Sequence, residues 1–446
     1  MAIKWANGPP NQSLLQSTRM IEIFKLATDP KQALLDIKQR RGNFAHYHFF
    51  GKELLFIADW KSVKTIMELE GNGKIGRDAL YEAKKPTFGD GLFNSQGETW
   101  TTQRRMIQPF FSKKGIEQWE EIICRTAINT ANKLGNLTTG TEIDLSIEFK
   151  SLIQNILIGV MFGSNDSEFE FDPELVRSID RIVEGLFPSF LAEVLGHGYF
   201  RHLFFLQNKR TENAIRYFQQ YVIERADIEK DGALVTLLAN TRDRTGCPMA
   251  QNLLLDESIT IFLAGQDSTV NTLIWLFYLL GRHPAVFSRL THELNQIEEA
   301  IGFDQLNNLP YAKAVLYETM RLYPQAISLA RDAERDVIVN GKPVKTGSAL
   351  IISIYAMHRD PLTWKNPDEF IPERFLGELT EDQKGSFMPF GAGIHNCIGK
   401  HFAEAEILVL MATILRHVEL NISNQAIDSK ISITLKPGKP LRANKL

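Results

Sequence analysis

Apolar residues recur three and four positions apart over residues 31–40, 60–69 and 98–135, the spacing that places them on one face of a helix. Between the first two stretches the period changes. His46–Phe50 and Leu54–Ala58 flank Gly51-Lys52-Glu53, which predicts a hairpin over 42–58. The strongest helical pattern runs from about 252 to 282, where Gly281 and Pro284 end it. At a rise of about 1.5 Å per residue such a helix is roughly 45 Å long. Further helices are expected at about 285–298, 310–322 and 398–416. A second β region is expected over 335–355, where Val337-Ile338-Val339 runs into Asn340-Gly341, a pair suited to positive φ. Residues 431–436 read as a last strand. The sum is a mainly α fold with a small β region.

No repeat, low-complexity tract or Ser/Gly linker interrupts the 446 residues, so the reading is one domain over 1–446. The formal net charge of -3 gives no field that would draw nucleic acid or an anionic membrane. The N-terminus lacks the apolar core of a signal peptide. The longest apolar stretch identified, Leu273 to Leu280, is far too short to span a bilayer. A cytoplasmic protein without a membrane anchor is expected. Three scattered cysteines, Cys124, Cys247 and Cys397, do not suggest a disulfide framework, which raises the question of which one carries chemistry.

Cys397 ends the run Phe390-Gly391-Ala392-Gly393-Ile394-His395-Asn396-Cys397. Two glycines just ahead of a cysteine point to a tight loop. The amphipathic helix expected next, with Phe402, Ala405, Val409 and Ala412 on one stripe, puts the sulfur at a helix N-terminus, where free N–H groups favour a thiolate. A small apolar filler is the other reading of a lone cysteine. Glu318 and Arg321 share a helix face; they form either a surface ion pair or, with Arg374 of Pro372-Glu373-Arg374-Phe375, a buried network. Trp100 and Arg104 are four apart on a helix that Ser95 and Glu98 are expected to start as a capping box. Inside the long helix stands Ala264-Gly265-Gln266-Asp267-Ser268-Thr269. A mid-helix glycine costs about 1 kcal/mol relative to alanine. A glycine followed by polar residues makes a poor core helix but a reasonable place for small ligands and protons.

Together, in this order and over nearly the whole chain, these motifs resemble the cytochrome P-450 family. The resemblance implies a helix-rich single domain with the long helix over haem b and minor β-sheets. It implies Cys397 as the axial thiolate, a ligand that favours O–O cleavage in bound dioxygen. Phe390 is then expected beside the thiolate loop, and Gly393 at its turn. His395 stands where many relatives carry arginine, and with Trp100, Arg104 and Arg331 it is a candidate to bind haem propionates. Glu318, Arg321 and Arg374 match the family's structural triad. Ala264 and Gly265 are expected to leave room for dioxygen. Asp267 with Ser268, followed by Thr269, corresponds to the acid–alcohol pair that relays protons. Ser268 replaces the common threonine and loses the β-methyl that stiffens χ1, which predicts a leakier relay. The competing reading bonds its hydroxyl to the carbonyl one turn back.

The implied activity is a monooxygenase that inserts one atom of O2 into a small apolar organic substrate by hydroxylation or epoxidation. With no flavin or iron–sulfur domain in the sequence, NAD(P)H is expected to act through a ferredoxin or flavodoxin and its reductase. Arg104, Arg105, Lys113, Lys114 and Lys400 form either a basic dock for that partner or a solvated face. By resemblance the substrate meets Phe88, Leu92, Phe93, Leu186, Phe187, Phe190, Ile261, Phe262, Ala326, Ile327 and Leu435, each equally readable as core. The segment 183–206, with Gly185, Pro188, Gly196 and Gly198, reads as a mobile lid. A peroxide-driven enzyme is the first alternative, and the Asp267–Ser268 pair argues against it. A haem sensor is the second, with no output domain visible. Zinc on Cys397 lacks a ligand set. A monomer is expected.

Overall fold

The computed structural model describes residues 25, 28–49, 52–77, 81–163, 172–196, 205–226, 232–297 and 300–446. The chain divides into two compact units. The first comprises Met1–Ala79, Ala314–Cys397 and Ser429–Lys436; the second comprises Leu80–Lys313, Ile398–Asp428 and Pro437–Leu446.

The first unit holds the expected hairpin, strands Phe44–Phe49 and Lys52–Ile57, at one edge of a five-stranded sheet. The order continues with Ala349–Ser353, Ser328–Ala333 and Ile75–Arg77. Lys52–Ile57 and Ala349–Ser353 pair in parallel, with Leu55 opposite Leu350 and Ile57 opposite Ile352. All four side chains are fully buried in a core that also takes Ile66 and Val339. Asn340 and Gly341 turn the small hairpin Val337–Val339 to Lys342–Val344, with φ of 47° and 74°. The helix Trp60–Gly71 starts on Asp59, whose carboxylate accepts from the Ser62 amide at 2.8 Å. The single strand expected over 431–436 is instead a pair, Ser429–Ile431 and Leu435–Pro437.

Glu318 and Arg321 are both fully buried, so the surface-pair reading does not hold. The guanidinium forks onto both Glu318 oxygens at 2.7 and 2.8 Å. Its remaining donors meet the carbonyls of His358, Pro367 and Glu369 at 2.7, 2.6 and 3.1 Å. Arg374 Nε adds a bond to Glu318 at 3.2 Å. A buried ion pair is tolerable only when its remaining donors and acceptors are met in this way. The planar five-donor fork is what a lysine could not reproduce.

In the second unit the long helix runs Gln251–Arg282. Against it packs Leu145–Phe162, with Phe149 edge-on to Phe277 at 4.7 Å. This 18-residue helix has a mean hydropathy of 1.4 over a window that is 67% buried. It is therefore a longer apolar segment than Leu273 to Leu280. Lys150 and Gln154 break its run in the sequence, yet it passes the length and composition test for a membrane span; its packing is that of a core helix. The helical stretch 98–135 breaks at Pro109 into Gly97–Ile107, two 3-10 turns and Glu120–Gly135. No capping box starts Gly97–Ile107: Gln96 is its N-cap without a side-chain bond, and the Ser95 hydroxyl donates to Gln103 instead. Arg442–Lys445, the true last strand, lies between Glu142–Asp144 and Leu420–Ile422.

His358, wholly buried beside Arg321, is pushed down to about 3, by burial first and then by the Arg321 charge. It is neutral in the folded chain, while in the unfolded chain it takes up a proton near the ordinary histidine value of 6.5. Its contribution to stability is thus complete above 6.5 and is lost as pH falls toward 3, by up to about 1.4 kcal/mol per pH unit. Urea denaturation between pH 7 and 5 should show this loss, with a slope about one proton shallower in His358→Gln. Parallel slopes for the two proteins would refute it.

Candidate functional site

The cysteine loop belongs to the first unit. Gly391 and Gly393 have φ of 73° and 72°, left-handed conformations that a side chain disfavours. A Cβ at Gly393 would also lie 2.6 Å from Met67 Sδ. The loop closes where the Cys397 amide donates to the Phe390 carbonyl at 2.8 Å. Cys397 is exposed, whereas the Cys124 thiol is half-buried and pushed up to about 11 by burial and by Glu120. The helix after the loop begins at Lys400, with Gly399 as its N-cap. Cys397 therefore precedes the first turn, and the expectation of a sulfur seated on the helix N-terminus is corrected. Among the described residues no group of three or more His, Cys, Asp or Glu side chains forms a metal site. An exposed sulfur on a loop shaped by two left-handed glycines fits a metal that brings its other donors with it, as haem iron does.

Two of the expected propionate ligands converge in the same unit on a residue the sequence reading missed. Glu70, near the end of the helix Trp60–Gly71, is 4% exposed. One carboxylate oxygen lies 2.5 Å from Arg331 Nε and 2.8 Å from His395 Nδ1. Burial alone would raise this carboxyl, but the His395 hydrogen bond and the Arg331 charge outweigh it and hold it below the usual range. A pairing across more than 320 positions, such as His395 with Glu70, leaves no local trace in sequence.

The second unit carries the other two candidates. Trp100 is buried, and the Arg104 guanidinium lies 6.0 Å from its ring centroid while donating to Gln108 at 3.2 Å.

In the middle of the buried long helix, Ile261, Ala264, Gly265 and Ser268 are only partly buried or exposed, while Phe262, Leu263, Gln266 and Thr269 are buried. The spacing 261, 264, 265, 268 is one helix face. Ser268 donates to the Ala264 carbonyl at 2.7 Å, the bond one turn back. Its only proton is used there, so the hydroxyl oxygen faces other groups as an acceptor. A Cβ at Gly265 would meet Leu157 Cδ2 at 3.1 Å, so close approach to the helix Leu145–Phe162 already accounts for this glycine. Asp267 is half-buried. Thr269 is buried and hydrogen-bonded to Glu406, a fully buried carboxyl pushed up to about 8 by desolvation. Glu406 was also missed, although a lone glutamate inside the apolar run Ala405 to Met411 was a legible signal.

The expected substrate contacts divide. Phe88 and Leu92 are buried and Phe93 is 38% exposed, its ring 5.0 Å from Phe88. The Leu92 amide is held by Glu257 on the long helix at 3.0 Å. Ile261 lies on the open face described above. Phe262 is fully buried edge-on to Phe218, and Leu435 is 1% exposed, so both are core side chains. Ala326 and Ile327 are partly buried against the core of the first unit. The side chains of Leu186, Phe187 and Phe190 lie outside the described residues, as do residues 197–204 of the expected lid, Gly198 among them. Gly185 and Pro188 fall within a continuous helix, Pro173–Gly196. A Cβ at Gly185 would meet the Thr211 hydroxyl at 2.2 Å, so this glycine serves helix packing.

The sequence profile described as Cytochrome P-450 matches residues 9–442. Cyclooctat-9-en-7-ol 5-monooxygenase of Streptomyces melanosporofaciens is 30% identical over 348 residues, 76% of this chain and 74% of that protein. Cyclooctatin synthase of the same organism is 30% identical over 345 residues, covering 75% and 73%. Cytochrome P-450 4V2 of Homo sapiens is 28% identical over 402 residues, covering 83% and 76%. A profile that spans nearly the whole chain, and the folded cysteine loop and buried Glu-x-x-Arg pair that agree with it, establish that the chain belongs to the cytochrome P-450 family.

Proposed function

We propose that Cys397 is the axial thiolate of haem b in a monooxygenase that takes a small apolar organic substrate and draws its electrons from separate proteins. The observation that carries this is the cysteine loop: two left-handed glycines and the Phe390 carbonyl hold an exposed sulfur in one place. Bound haem b supplies the centre at which dioxygen is activated. Arg331, His395, Trp100 and Arg104 are the residues proposed to take its propionates, and Phe390 the ring beside the sulfur. Purified protein, reduced and exposed to carbon monoxide, should absorb near the wavelength typical of thiolate-ligated haem, and Cys397→Ser should lose that band. A wild-type protein that binds haem without the band would overturn the assignment.

The chain's own part in the chemistry is to admit the substrate and to move protons. Ala264, on the open face of the long helix, is proposed to leave room for dioxygen. Asp267 and Ser268 are proposed to pass protons inward, with the Ser268 oxygen accepting because its proton is held on the Ala264 carbonyl. Thr269 turns the other way, to Glu406, and takes no part. Ser268→Ala should raise the peroxide released per NADPH consumed several-fold. Unchanged coupling would take Ser268 out of the relay.

For the electron donor, the exposed Arg105, Lys113, Lys114 and Lys400 support an acidic partner. His401 marks a concentration of positive charge. Burial chiefly lowers its pKa; Glu404 opposes the shift, and Lys400, Lys113 and Lys313 add to it. Arg104 contributes less to such a dock because Gln108 holds it. Charge attraction between exposed groups is screened within about 10 Å at 0.1 M salt. Electron-transfer rates from a ferredoxin or flavodoxin should therefore fall steeply with ionic strength. Rates that stay level would return these lysines to an ordinary solvated face.

A further inference from the structure

Glu70 has no place in the chemistry derived so far, and its position is costly. A carboxylate in the last turn of a helix opposes the helix dipole, and burial removes its water. It has neither of the usual remedies, since it is not at the surface and is not protonated. Instead Arg331 and His395, 64 positions apart in sequence, share one of its oxygens at 2.5 and 2.8 Å. The other oxygen has no hydrogen-bond partner among the described residues and lies 3.0 Å from where a Cβ at Gly393 would stand. The helix end is thus fastened to the cysteine loop at His395, and Gly393 leaves room for the second oxygen.

The contacts also hold both partners in place. The Arg331 guanidinium turns its Nε edge to Glu70 and gives Nη1 to the Ala330 carbonyl at 2.9 Å. His395 is held by Nδ1 at 2.8 Å. Both side chains are thereby set in orientation on one carboxylate.

We propose that Glu70 is a positioning residue for the haem carboxylates: it holds Arg331 and His395 in the orientation proposed to meet them, and its fixed negative charge offsets part of the positive field of Arg331. The proposal rests on the haem reading given above. Its consequence is electrostatic. Removing one negative charge beside the cofactor favours the form with the extra electron, so the ferric–ferrous midpoint potential rises.

The test is spectroelectrochemical titration of the haem-loaded full chain, with the carbon monoxide band recorded on the same samples. Glu70→Gln should keep the thiolate band and shift the ferric–ferrous equilibrium toward ferrous by about tenfold, which is about 59 mV for one electron. Glu70→Asp, which keeps the charge, should stay near the wild-type potential. A Glu70→Gln protein with the thiolate band and an unchanged potential would make Glu70 a structural ion-pair partner and nothing more. If Glu70→Gln does not retain haem, Glu70→Asp decides alone: retained haem at the wild-type potential supports the role of charge, and loss of haem there too refutes it. Wild-type protein lacking the thiolate band would instead bring down the haem reading itself, a separate result.

Discussion

Placing Arg321 where no water reaches it is the constraint on which the cysteine loop depends. A guanidinium in that position must find five acceptors, and it finds them on Glu318 and on three carbonyls from the segment 358–369. That requirement fixes the segment's course. His358 returns the bond, Nδ1 to the Arg321 carbonyl at 3.0 Å, and its Nε2 accepts from the Met388 amide at 3.1 Å. Met388 in turn accepts from Gly391, and Phe390 from Cys397. A continuous line of hydrogen bonds thus connects a buried ion pair to the amide of the cysteine. The aromatic rings of Tyr317, Trp364, Phe375 and Phe387 pack beside it and keep it dry. In a low-dielectric setting such bonds are strong when complete and costly when one is missing, which gives the loop a single geometry.

Three buried carboxylates have different partners. Glu318 meets two arginines. Glu70 meets an arginine and a histidine, which outweigh burial and hold it below the usual range. Glu406 has only a threonine hydroxyl, and burial wins. The first organises the loop's foundation, and the second lies against its tip. The third sits next to Thr269, its carboxyl pushed up to about 8. For Glu70 and Glu406 the difference lies in what faces the carboxyl.

Much of this was legible in the chain. Local signals were read correctly: the turn pair Asn340-Gly341, the period of the long helix and the two glycines before Cys397 all depend on neighbours in sequence. The stretch around Pro109 reads as one helix in the sequence because the apolar period persists across the break. Leu145–Phe162 was overlooked because Lys150 and Gln154 interrupt its apolar run, although its packing is nearly all apolar. Arg442–Lys445 was missed because only Ala443 in it is apolar; its place is set by pairing on both sides. Glu70 was invisible for a stronger reason, since its meaning comes wholly from residues far along the chain. Gly265 and Gly185 show the converse error: a glycine that suggests room for a ligand or a hinge is explained by a neighbouring helix side chain.

The parallel pairing of Lys52–Ile57 with Ala349–Ser353 has a consequence during synthesis. The Ser348 hydroxyl that donates to Glu53 is 295 positions further along the chain. At ribosomal speeds of about 5–20 residues per second, the first hairpin emerges roughly 15 to 60 s before the strand that covers its inner edge. For that time Leu55 and Ile57 have no parallel neighbour, and an unpaired apolar edge invites other chains. The order in which the ribosome releases the segments leaves this edge of the hairpin without its parallel partner until Ala349–Ser353 has been made.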